Sequence, residues 1–478
     1  MKGGVMQTKL SFEDKLQKNK ALYGIFIWLF ISIAYLLFIA NWGFGGYLTG
    51  KGISIEGDKT ILNPGILGYF GINGNDSSFL LKNQAANWGI TIGRGIGSVA
   101  VALLLSKLFH KYTTIVALSL TLLGIPAQFL PSQPYGYVLF LVLRTLMAIG
   151  GTMMIILTQP IVANFFTKKQ KSVVSQFGIW FYPLGTIIAV LPFVVAHYTK
   201  ANDVVMNNWK TILTTLSALN VIPLLVMIIF GSRFDAKKAQ EEESMEKQES
   251  GLKLLGVYFR KKATWAWTLL YGGWLCAVVL PTALSHVIFP KLAEIAGNPA
   301  GEATHIREWY IVFLAAVFVG PITIGLWSRF PLKRKWYIAS VILLGISLYV
   351  LSMITYVWGV SKGDITSRVI FYILGFLSGL SLWGIQGVML NTPHEYKDNN
   401  PKTIGWMFSL IWGLGFIFFT LVLILINLVP IIAGGKFAVN NIWMYVIIIV
   451  ASLISVIGLL MLKEPDPEAN TFPWSNKK

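Results

Sequence analysis

The sequence predicts an all-α polytopic membrane protein with about twelve transmembrane helices in two six-helix bundles. Of its 478 residues, 55% are hydrophobic and 13% are charged, and the mean hydropathy is +0.64, outside the usual range of soluble globular chains. Apolar runs long enough to cross a hydrocarbon core of about 30 Å also recur along the whole chain. We therefore predict a multi-pass protein of the cell membrane.

These apolar runs define the predicted spans. Polar or basic segments separate them, so each run can form a separate membrane crossing. In order, the predicted spans cover residues 21–46, 86–106, 112–131, 135–165, 172–197, 209–231, 264–290, 309–328, 336–358, 367–392, 403–432 and 440–462.

The longest hydrophilic interruption between spans divides the chain into halves. It mixes Glu and Lys at helical spacing, which is typical of a surface helix or a flexible linker. Another polar segment, from Leu48 to Ala85, carries Gly, Asn and Asp turn signals. The predicted domains are a tail at 1–20, an N-terminal six-helix bundle at 21–231, a central loop at 232–262, a C-terminal six-helix bundle at 263–463 and a tail at 464–478.

The distribution of Lys and Arg predicts the orientation of the chain. If the N-terminus is inside, 27 of these residues lie in cytoplasmic segments and 10 lie outside. Positive residues are retained on the cytoplasmic side, so both termini and the central loop are predicted to be cytoplasmic. The net charge of +18 follows the same topology, and we predict no nucleic-acid partner. The N-terminus lacks the pattern of a cleaved leader, and Cys276 alone cannot form a disulfide framework.

Motifs for enzymatic chemistry are absent from the sequence. There is no His-Glu-x-x-His, no Cys/His cluster and no Gly-x-x-x-x-Gly-Lys-Ser/Thr loop. The glycines of GRGIGS at 93–98 superficially match a dinucleotide fingerprint, but inside a span small residues serve helix packing. We predict a monomeric non-enzyme with no cofactor and no metal, whose partners are the lipid bilayer and a small-molecule substrate.

Two features repeat between the halves. The fourth span reads GTMMIILTQP from Gly151, and the tenth carries the same Gly-to-Pro spacing from Gly384. In addition, a small polar residue followed by basic residues comes after span two and again after span eight. These residues are Ser106, Lys107 and Lys111 after span two, and Ser328, Arg329 and Lys333 after span eight.

With these repeats, twelve spans, a central loop and an arginine followed by glycines in span four (LVLRTLMAIGG), the chain resembles the major facilitator superfamily (MFS) along essentially its whole length. The resemblance implies a secondary transporter that works by alternating access around a site between the two bundles. It implies that spans one, two, four and five flank the central cavity. It also implies a gating role for the basic residues after spans two and eight.

Two arginines lie deep inside predicted spans, away from the span ends. Arg94 and Arg144 are each about eight residues from the external end of a span, which is roughly 12 Å deep at 1.5 Å per residue. An arginine at that depth costs at least about 2.5–3.5 kcal/mol unless it is paired. All 21 Asp and Glu lie in tails, loops or span ends, Glu395 among them at the cytoplasmic end of span ten. Because a guanidinium suits bidentate recognition of phosphate or carboxylate, we predict that the two arginines jointly bind an anionic substrate. The alternative is that each bonds helix carbonyls or snorkels to the surface.

Three functions remain open. The first is transport of an organophosphate, an oxyanion or an organic acid, by a logic similar to that of organophosphate antiporters and nitrate/nitrite carriers, which also place arginines in the cavity. The second is transport of a neutral sugar, nucleoside or amphiphile. The third is a transporter-like membrane sensor, which the charged central loop would serve. The lack of a carboxylate inside the predicted spans favours exchange, uniport or symport of a proton carried by the substrate.

Other polar or aromatic residues inside spans are weaker candidates for the cavity wall. Histidine can exchange a proton near neutral pH, so His286 is also a candidate for proton coupling. The candidates are Asn41, Trp42, Tyr182, Tyr271, Trp274, His286, Gln386 and Asn391.

Overall fold

The chain forms a bundle of long apolar helices, as predicted. In the described part of the chain, ten helices are long and apolar enough to cross a membrane, and one of them, Leu81–Ala127, holds two predicted spans in its 47 residues. The shorter apolar helix Phe181–Ala196 supplies a further crossing, so about twelve transmembrane helices are confirmed. The computed structural model describes residues 20–56, 59–74, 79–167, 170, 174, 177–178, 180–199, 202–234, 256–298, 303–325, 330–396, 401–432 and 443–472.

The N-terminal half contributes helices α1 to α6. Short helices at Ile66–Tyr69, Gly124–Ala127 and Asn202–Asn207 lie in its connections. The long helices are α1 Lys20–Tyr47, α2 and α3 within Phe79–Thr121, α4 Pro134–Phe165, α5 Phe181–Tyr198, and α6, which comprises Trp209–Ala218 and Val221–Phe230.

Phe109 separates α2 (79–108) from α3 (110–121). Its backbone has φ 58° and ψ 176°, a region that residues with a Cβ rarely adopt. The sequence predicted that span two ends at 106 and span three begins at 112. Instead, helical structure runs almost to Phe109 from both sides, and a single residue makes the turn.

The C-terminal half contributes α7 to α12. The sequence predicted the eighth span from residue 309, because the polar residues before it lower the hydropathy. The helix begins earlier, at Ala303, and those polar residues form its first turns. The helices are α7 Lys262–Ile295, α8 Ala303–Ala315 with the short helices Ala316–Phe318 and Gly320–Thr323 after it, α9 Lys335–Trp358, α10 Ile365–Asn391, α11 Pro401–Ile432 and α12 Trp443–Met461.

The two halves meet along two pairs of helices. Within the halves, α1 packs on α4 and α5, and α7 packs on α11 and α12. Between the halves, α2 packs on α11 and α5 packs on α8. Glycines permit the first of these contacts, because a Cβ at Gly95 would lie 3.2 Å from the carbonyl oxygen of Gly413. The boundaries of the two bundles at 231 and 263 stay a prediction, because most of the central loop lies outside the described residues.

Glycines of the GRGIGS motif also let α2 approach α4. A Cβ at Gly93 would lie 2.5 Å from the carbonyl oxygen of Thr145, and one at Gly97 would lie 2.5 Å from that of Ile149. Both distances are shorter than any ordinary contact, so the helix backbones touch here. The motif therefore has a packing role.

The polar segment between α1 and α2 folds against the end of the N-terminal half. A hairpin pairs β1 (Ile53–Glu56) with β2 (Lys59–Leu62), and Gly50 (φ 74°) and Gly52 (φ 75°) turn the chain into it. Below the hairpin, an apolar cluster that includes Phe70 and Trp209 joins this segment to α1, α4, α5 and α6. The sequence had indicated only turns in this segment.

Candidate functional site

A cavity lies between the two halves. It encloses about 750 Å³ of empty space, including its open mouth, and α1, α2, α4, α5, α7, α10 and α11 all contribute to its wall. The lining extends from Arg94 towards Trp28 at the start of α1 and Leu390 at the end of α10. Gln159, near the end of α4, is an exposed lining residue. The cavity therefore opens towards the predicted cytoplasmic side.

Aromatic side chains dominate the cavity wall. Tyr271 stacks on Trp412 with ring centres 5.3 Å apart, and Tyr182 of one half meets Trp383 of the other at 5.5 Å. Polar groups are few. In the described lining they are Thr158, Gln159, Gln386, Arg94, the tyrosine hydroxyls and the tryptophan indole N–H groups, and no Asp or Glu is among them. The eight aromatic lining residues are Trp28, Tyr35, Tyr182, Tyr271, Trp274, Trp383, Trp412 and Phe416.

Arg94 is the one charged residue in the described lining of the cavity. It is 2% exposed, and its Nη2 donates a hydrogen bond to the hydroxyl of Tyr35 at 3.1 Å. Its Nε and Nη1 have no hydrogen-bond partner among the described residues. The guanidinium carbon lies 4.3 Å from the ring centre of Phe416 and 5.2 Å from that of Trp42. Three further rings, those of Tyr35, Phe38 and Tyr182, lie within 6 Å, so aromatic faces surround the cation.

Arg144 is not part of the cavity wall. Its Nη1 donates to Oδ1 of Asn41 at 2.8 Å, and its Nη2 donates to the carbonyl oxygen of the same residue at 3.2 Å. Asn41 in turn donates to the carbonyl oxygen of Leu213 and to Oγ of Ser217, both at 2.9 Å. This network joins α1, α4 and α6 inside the N-terminal half. Gly45 makes room for it, because a Cβ there would lie 2.2 Å from Nη2 of Arg144.

The two arginines lie at neighbouring levels but face different ways. Gly93, which precedes Arg94 on α2, contacts Thr145, which follows Arg144 on α4. The two arginines therefore lie at similar heights in the bundle. Arg94 faces the C-terminal half, and Arg144 faces α1 and α6. The predicted joint site is therefore not assembled in this conformation, because the rotation of α2 and α4 directs the two guanidinium groups apart. Depth along the sequence does not reveal this rotation.

The structure separates the other candidates in the same way. Tyr182, Tyr271, Trp274 and Gln386 line the cavity as predicted. Trp42 does not line it. Its ring lies against Arg94, and its Nε1 donates to Oδ1 of Asn87.

Two candidates from the ends of α7 and α10 remain. Asn391 is exposed at the last residue of α10 and does not line the cavity. His286 lies on α7, but its side chain lies outside the described residues.

The predicted gating residues lie at the helix ends. Ser106 and Lys107 are exposed at the end of α2, and Lys111 lies in the first turn of α3. Ser328 and Arg329 lie outside the described residues. The backbone N–H of Lys333 donates to the carbonyl oxygen of Asn470, so the C-terminal segment packs against this loop.

Next to that loop, Arg334 forms a bidentate ion pair with Glu395 from the end of α10. The two carboxylate distances are 2.8 and 2.9 Å. Tyr396 donates its hydroxyl to the carbonyl oxygen of Lys463, and burial raises the pKa of this tyrosine to about 12. These contacts tie the predicted cytoplasmic ends of α9, α10 and α12 together.

Several lining residues were not predicted from the sequence. Tyr35 and Trp28 lie seven residues apart on α1, and Trp383 and Leu390 lie at helical spacing on either side of the predicted Gln386 on α10. This spacing is visible in the sequence. It did not identify the wall, because a face that packs on a neighbouring helix has the same period.

The chain is similar to known proteins in sequence and in fold. A sequence model of a family described as Mycoplasma MFS transporter matches residues 140–431. An uncharacterized protein of Mesomycoplasma hyopneumoniae (strain J) is 44% identical, over 96% of this chain and 95% of its own length.

Solved structures share the fold at low identity. A D-xylose-proton symporter matches with a TM-score of 0.63 and 12% identity, over 94% of this chain and all of that one. The nucleoside transporter NupG matches with a TM-score of 0.52 and 15% identity, over 91% of this chain and 98% of that one.

Proposed function

Because the chain belongs to the Mycoplasma family of MFS transporters, we propose that it carries a small polar solute whose ring has an apolar face, such as a sugar or a nucleoside, across the cell membrane by alternating access. The single observation that carries the proposal is the aromatic wall of the cavity between the halves. Ring faces bind the apolar faces of sugars and nucleobases, and base stacking on an aromatic side chain contributes about 1–3 kcal/mol per base.

Polar groups near the rings suit a neutral solute. Gln159 and Gln386 each offer a carbonyl acceptor and an amide donor, a combination that matches hydroxyl groups and base edges. Arg94 adds two further donors at Nε and Nη1. A cavity that is mostly apolar with a few convergent polar groups is typical of small-molecule sites. The sugar and nucleoside transporters among the solved structures agree with this class of solute, although at their identity they share only the fold.

The aromatic rings weaken the argument for an anion. From the sequence, an anion was the preferred solute because Arg94 had no carboxylate partner inside the predicted spans. Five rings now lie within 6 Å of its guanidinium carbon, and a desolvated cation–π contact is worth about 2 kcal/mol or more. The protein itself therefore offsets much of the cost of the buried charge.

An organic anion is the second candidate solute. One observation favours it: Nε and Nη1 of Arg94 have no hydrogen-bond partner among the described residues, and together they match one carboxylate or phosphate edge. An anion would bind through this edge and would not need the aromatic wall.

Cross-half contacts at the far end of the cavity agree with an inward-facing state. Arg307 of α8 donates to the carbonyl oxygen of Phe193 on α5 at 3.0 Å, and Thr420 of α11 donates to Oγ1 of Thr91 on α2 at 2.6 Å. Both contacts lie towards the predicted external side. In the proposed cycle they break when the cavity opens outwards.

A binding screen on the purified protein tests the proposed solute. Four tryptophans line the cavity, so intrinsic fluorescence and thermal shift both report on binding. The panel is uridine, adenosine, D-xylose, D-glucose, glucose 6-phosphate, citrate and nitrate. We expect saturable binding of a neutral ring solute, and exchange of that solute in proteoliposomes. Binding of the anions alone would establish the organic anion as the solute. If no panel member is bound or exchanged, the transporter-like sensor is favoured instead.

We also propose that both termini are cytoplasmic and that the segment before α2 is external, in the cell membrane. Single cysteines at Ser77 and Ser244, in a Cys276→Ala background, test this orientation. In intact cells, an impermeant thiol reagent should modify the first and spare the second. The reverse labelling would invert the topology.

A further inference from the structure

A titratable cluster lies outside the solute cavity, at the predicted external ends of α8 and α10. It consists of His305 and Glu308 on α8 and Tyr372 on α10. His305 is 8% exposed, and the carboxylate side chain is 28% exposed, so the cluster is largely enclosed but reaches the surface. Tyr372 is eleven residues from the cavity-lining Trp383, which is roughly 16 Å along the helix.

The three side chains share one carboxylate oxygen. Tyr372 donates its hydroxyl to Oε2 of Glu308, and Nδ1 of His305 lies 3.2 Å from the same oxygen. The tyrosine oxygen and Nδ1 are 3.3 Å apart, so each group contacts the other two. An ionised carboxylate accepts from both donors, and an added proton can reside on the carboxylate or on the imidazole. The three side chains therefore form one hydrogen-bonded cluster.

Other charged groups on the helices packed against α8 define the surroundings. Lys291 and Glu294, at the end of α7, pair with each other. His286 and His197 have side chains outside the described residues. The charged and titratable groups on α5, α7, α8 and α10 near this end are His197, Tyr198, His286, Lys291, Glu294, Arg307, Tyr310 and Arg368.

We propose that His305, Glu308 and Tyr372 form a proton-binding site that couples solute transport to the proton gradient, a role that rests on the transport function proposed above. A proton-binding site at this position was not predicted from the sequence, because the predicted eighth span began one residue after Glu308. The helix begins at Ala303, which places the carboxylate on the span itself.

The proposed site lies next to a contact between the two halves, so its protonation can affect transport. Arg307, the residue next to Glu308, donates to the carbonyl oxygen of Phe193 on α5 and so holds the halves together at their external end. Protonation changes the charge of the contact between α8 and α10, and α8 also carries the contact between the halves. Proton binding thus biases the closure of the external gate.

Proteoliposomes with radiolabelled uridine and D-xylose separate coupling from transport. Exchange without a pH gradient tests transport, and accumulation driven by an acidic exterior tests coupling. One pH unit supports at most about tenfold accumulation for one proton per solute, since it equals 1.36 kcal/mol. We expect Glu308→Gln to keep exchange and to lose this accumulation. Glu294→Gln, which removes a carboxylate outside the cluster at the same end of the C-terminal half, is the matched control and should keep both.

A second variant and a direct measurement complete the test. Tyr372→Phe removes a donor that favours the ionised carboxylate, so the pH midpoint of accumulation should move upwards while exchange persists. Infrared difference spectra across about pH 5–8, where histidines and perturbed carboxyls titrate, should show a carboxyl band that Glu308→Gln removes. Wild-type accumulation in Glu308→Gln, or no such band in the wild type, would overturn the site. A band without exchange of either solute would leave the site standing and reject the proposed function.

Discussion

Arg94 and Arg144 lie at neighbouring levels of α2 and α4, yet the protein holds their guanidinium groups in opposite ways. Arg144 donates two hydrogen bonds to Asn41, which is itself bonded to α6, so its charge is part of the scaffold of the N-terminal half. Arg94 has one hydrogen bond, to Tyr35, and is surrounded by aromatic faces at the wall of a cavity. The first is fixed by backbone and amide oxygens, and the second has two donors, Nε and Nη1, without a partner among the described residues.

The difference teaches that burial alone does not identify a binding residue. Both side chains are at most 2% exposed, and neither has a carboxylate partner among the described residues. What distinguishes them is the number of fixed acceptors and the presence of an adjacent cavity. Truncating Arg144 should therefore affect mainly stability, and truncating Arg94 should affect mainly solute binding.

The largest effect is expected from Arg144→Ala. Truncation leaves a cavity and removes the donor to Oδ1 of Asn41, which together should lower the free energy of unfolding by about 3–5 kcal/mol. Thermal unfolding in detergent measures this loss. Solute affinity of the folded fraction should stay within about twofold, which is under 0.5 kcal/mol. Wild-type stability with a large loss of affinity would exchange the proposed roles of the two arginines.

Arg94→Ala comes next and should act on affinity. Losing charge-assisted contacts to the solute should cost about 1.5–3 kcal/mol, or roughly tenfold to hundredfold in affinity. Arg94→Lys should fail similarly, because lysine lacks the planar fork that donates at Nε and Nη1. Titration by tryptophan fluorescence measures both variants. Unchanged affinity in both would remove Arg94 from the solute site.

Gly45→Ala sharpens the comparison without substituting either arginine. The new methyl group would lie 2.2 Å from Nη2 of Arg144, so the side chain must move and stability should fall by about 1–3 kcal/mol. Gly46→Ala is the matched control, since its methyl would meet only the amide of Asn87, at 3.1 Å. Equal melting temperatures for the two variants would contradict a rigid network around Arg144.

Phe416→Leu should give the smallest effect. The ring lies 4.3 Å from the guanidinium carbon of Arg94, and losing one cation–π contact should cost about 0.5–1 kcal/mol, or two- to fivefold in solute affinity. Phe140→Leu serves as its counterpart, because that ring lies 5.4 Å from the guanidinium carbon of Arg144. It should lower the melting temperature and leave affinity unchanged. Identical affinities for both variants would mean that the ring does not tune Arg94.

Much of the architecture was predictable because the membrane restricts what a chain can do. Apolar runs of about twenty residues have few alternatives to spanning helices, so about twelve spans could be predicted from composition and are confirmed. The MFS resemblance came from the repeated motifs, the central loop and the arginine followed by glycines in span four, and it is confirmed by the family match. The depth of Arg94 was equally accessible, since it needs only the rise per residue. The orientation of the termini stays a prediction.

The rest depended on helix rotation and helix ends, which sequence patterns determine poorly. Arg144 and Asn41 both met the criterion of a polar residue inside a span, and only their mutual contact shows that they satisfy each other. Glu308 was placed outside the membrane because hydropathy falls at the polar first turns of α8, although the helix continues through them. Tyr35 was overlooked because an aromatic residue on an apolar helix has no distinguishing neighbour in sequence.

The contact between Gly95 and Gly413 has a mechanical consequence. At this point the backbones of α2 and α11 come close, since a Cβ on either residue would lie within 3.2 Å of the other's carbonyl oxygen. The side chains of Ile417 and Val99 flank the contact, so a larger residue at either glycine would push the two helices apart. In the proposed alternating-access cycle, motion that closes the external ends would open the opposite ends about this point of close approach.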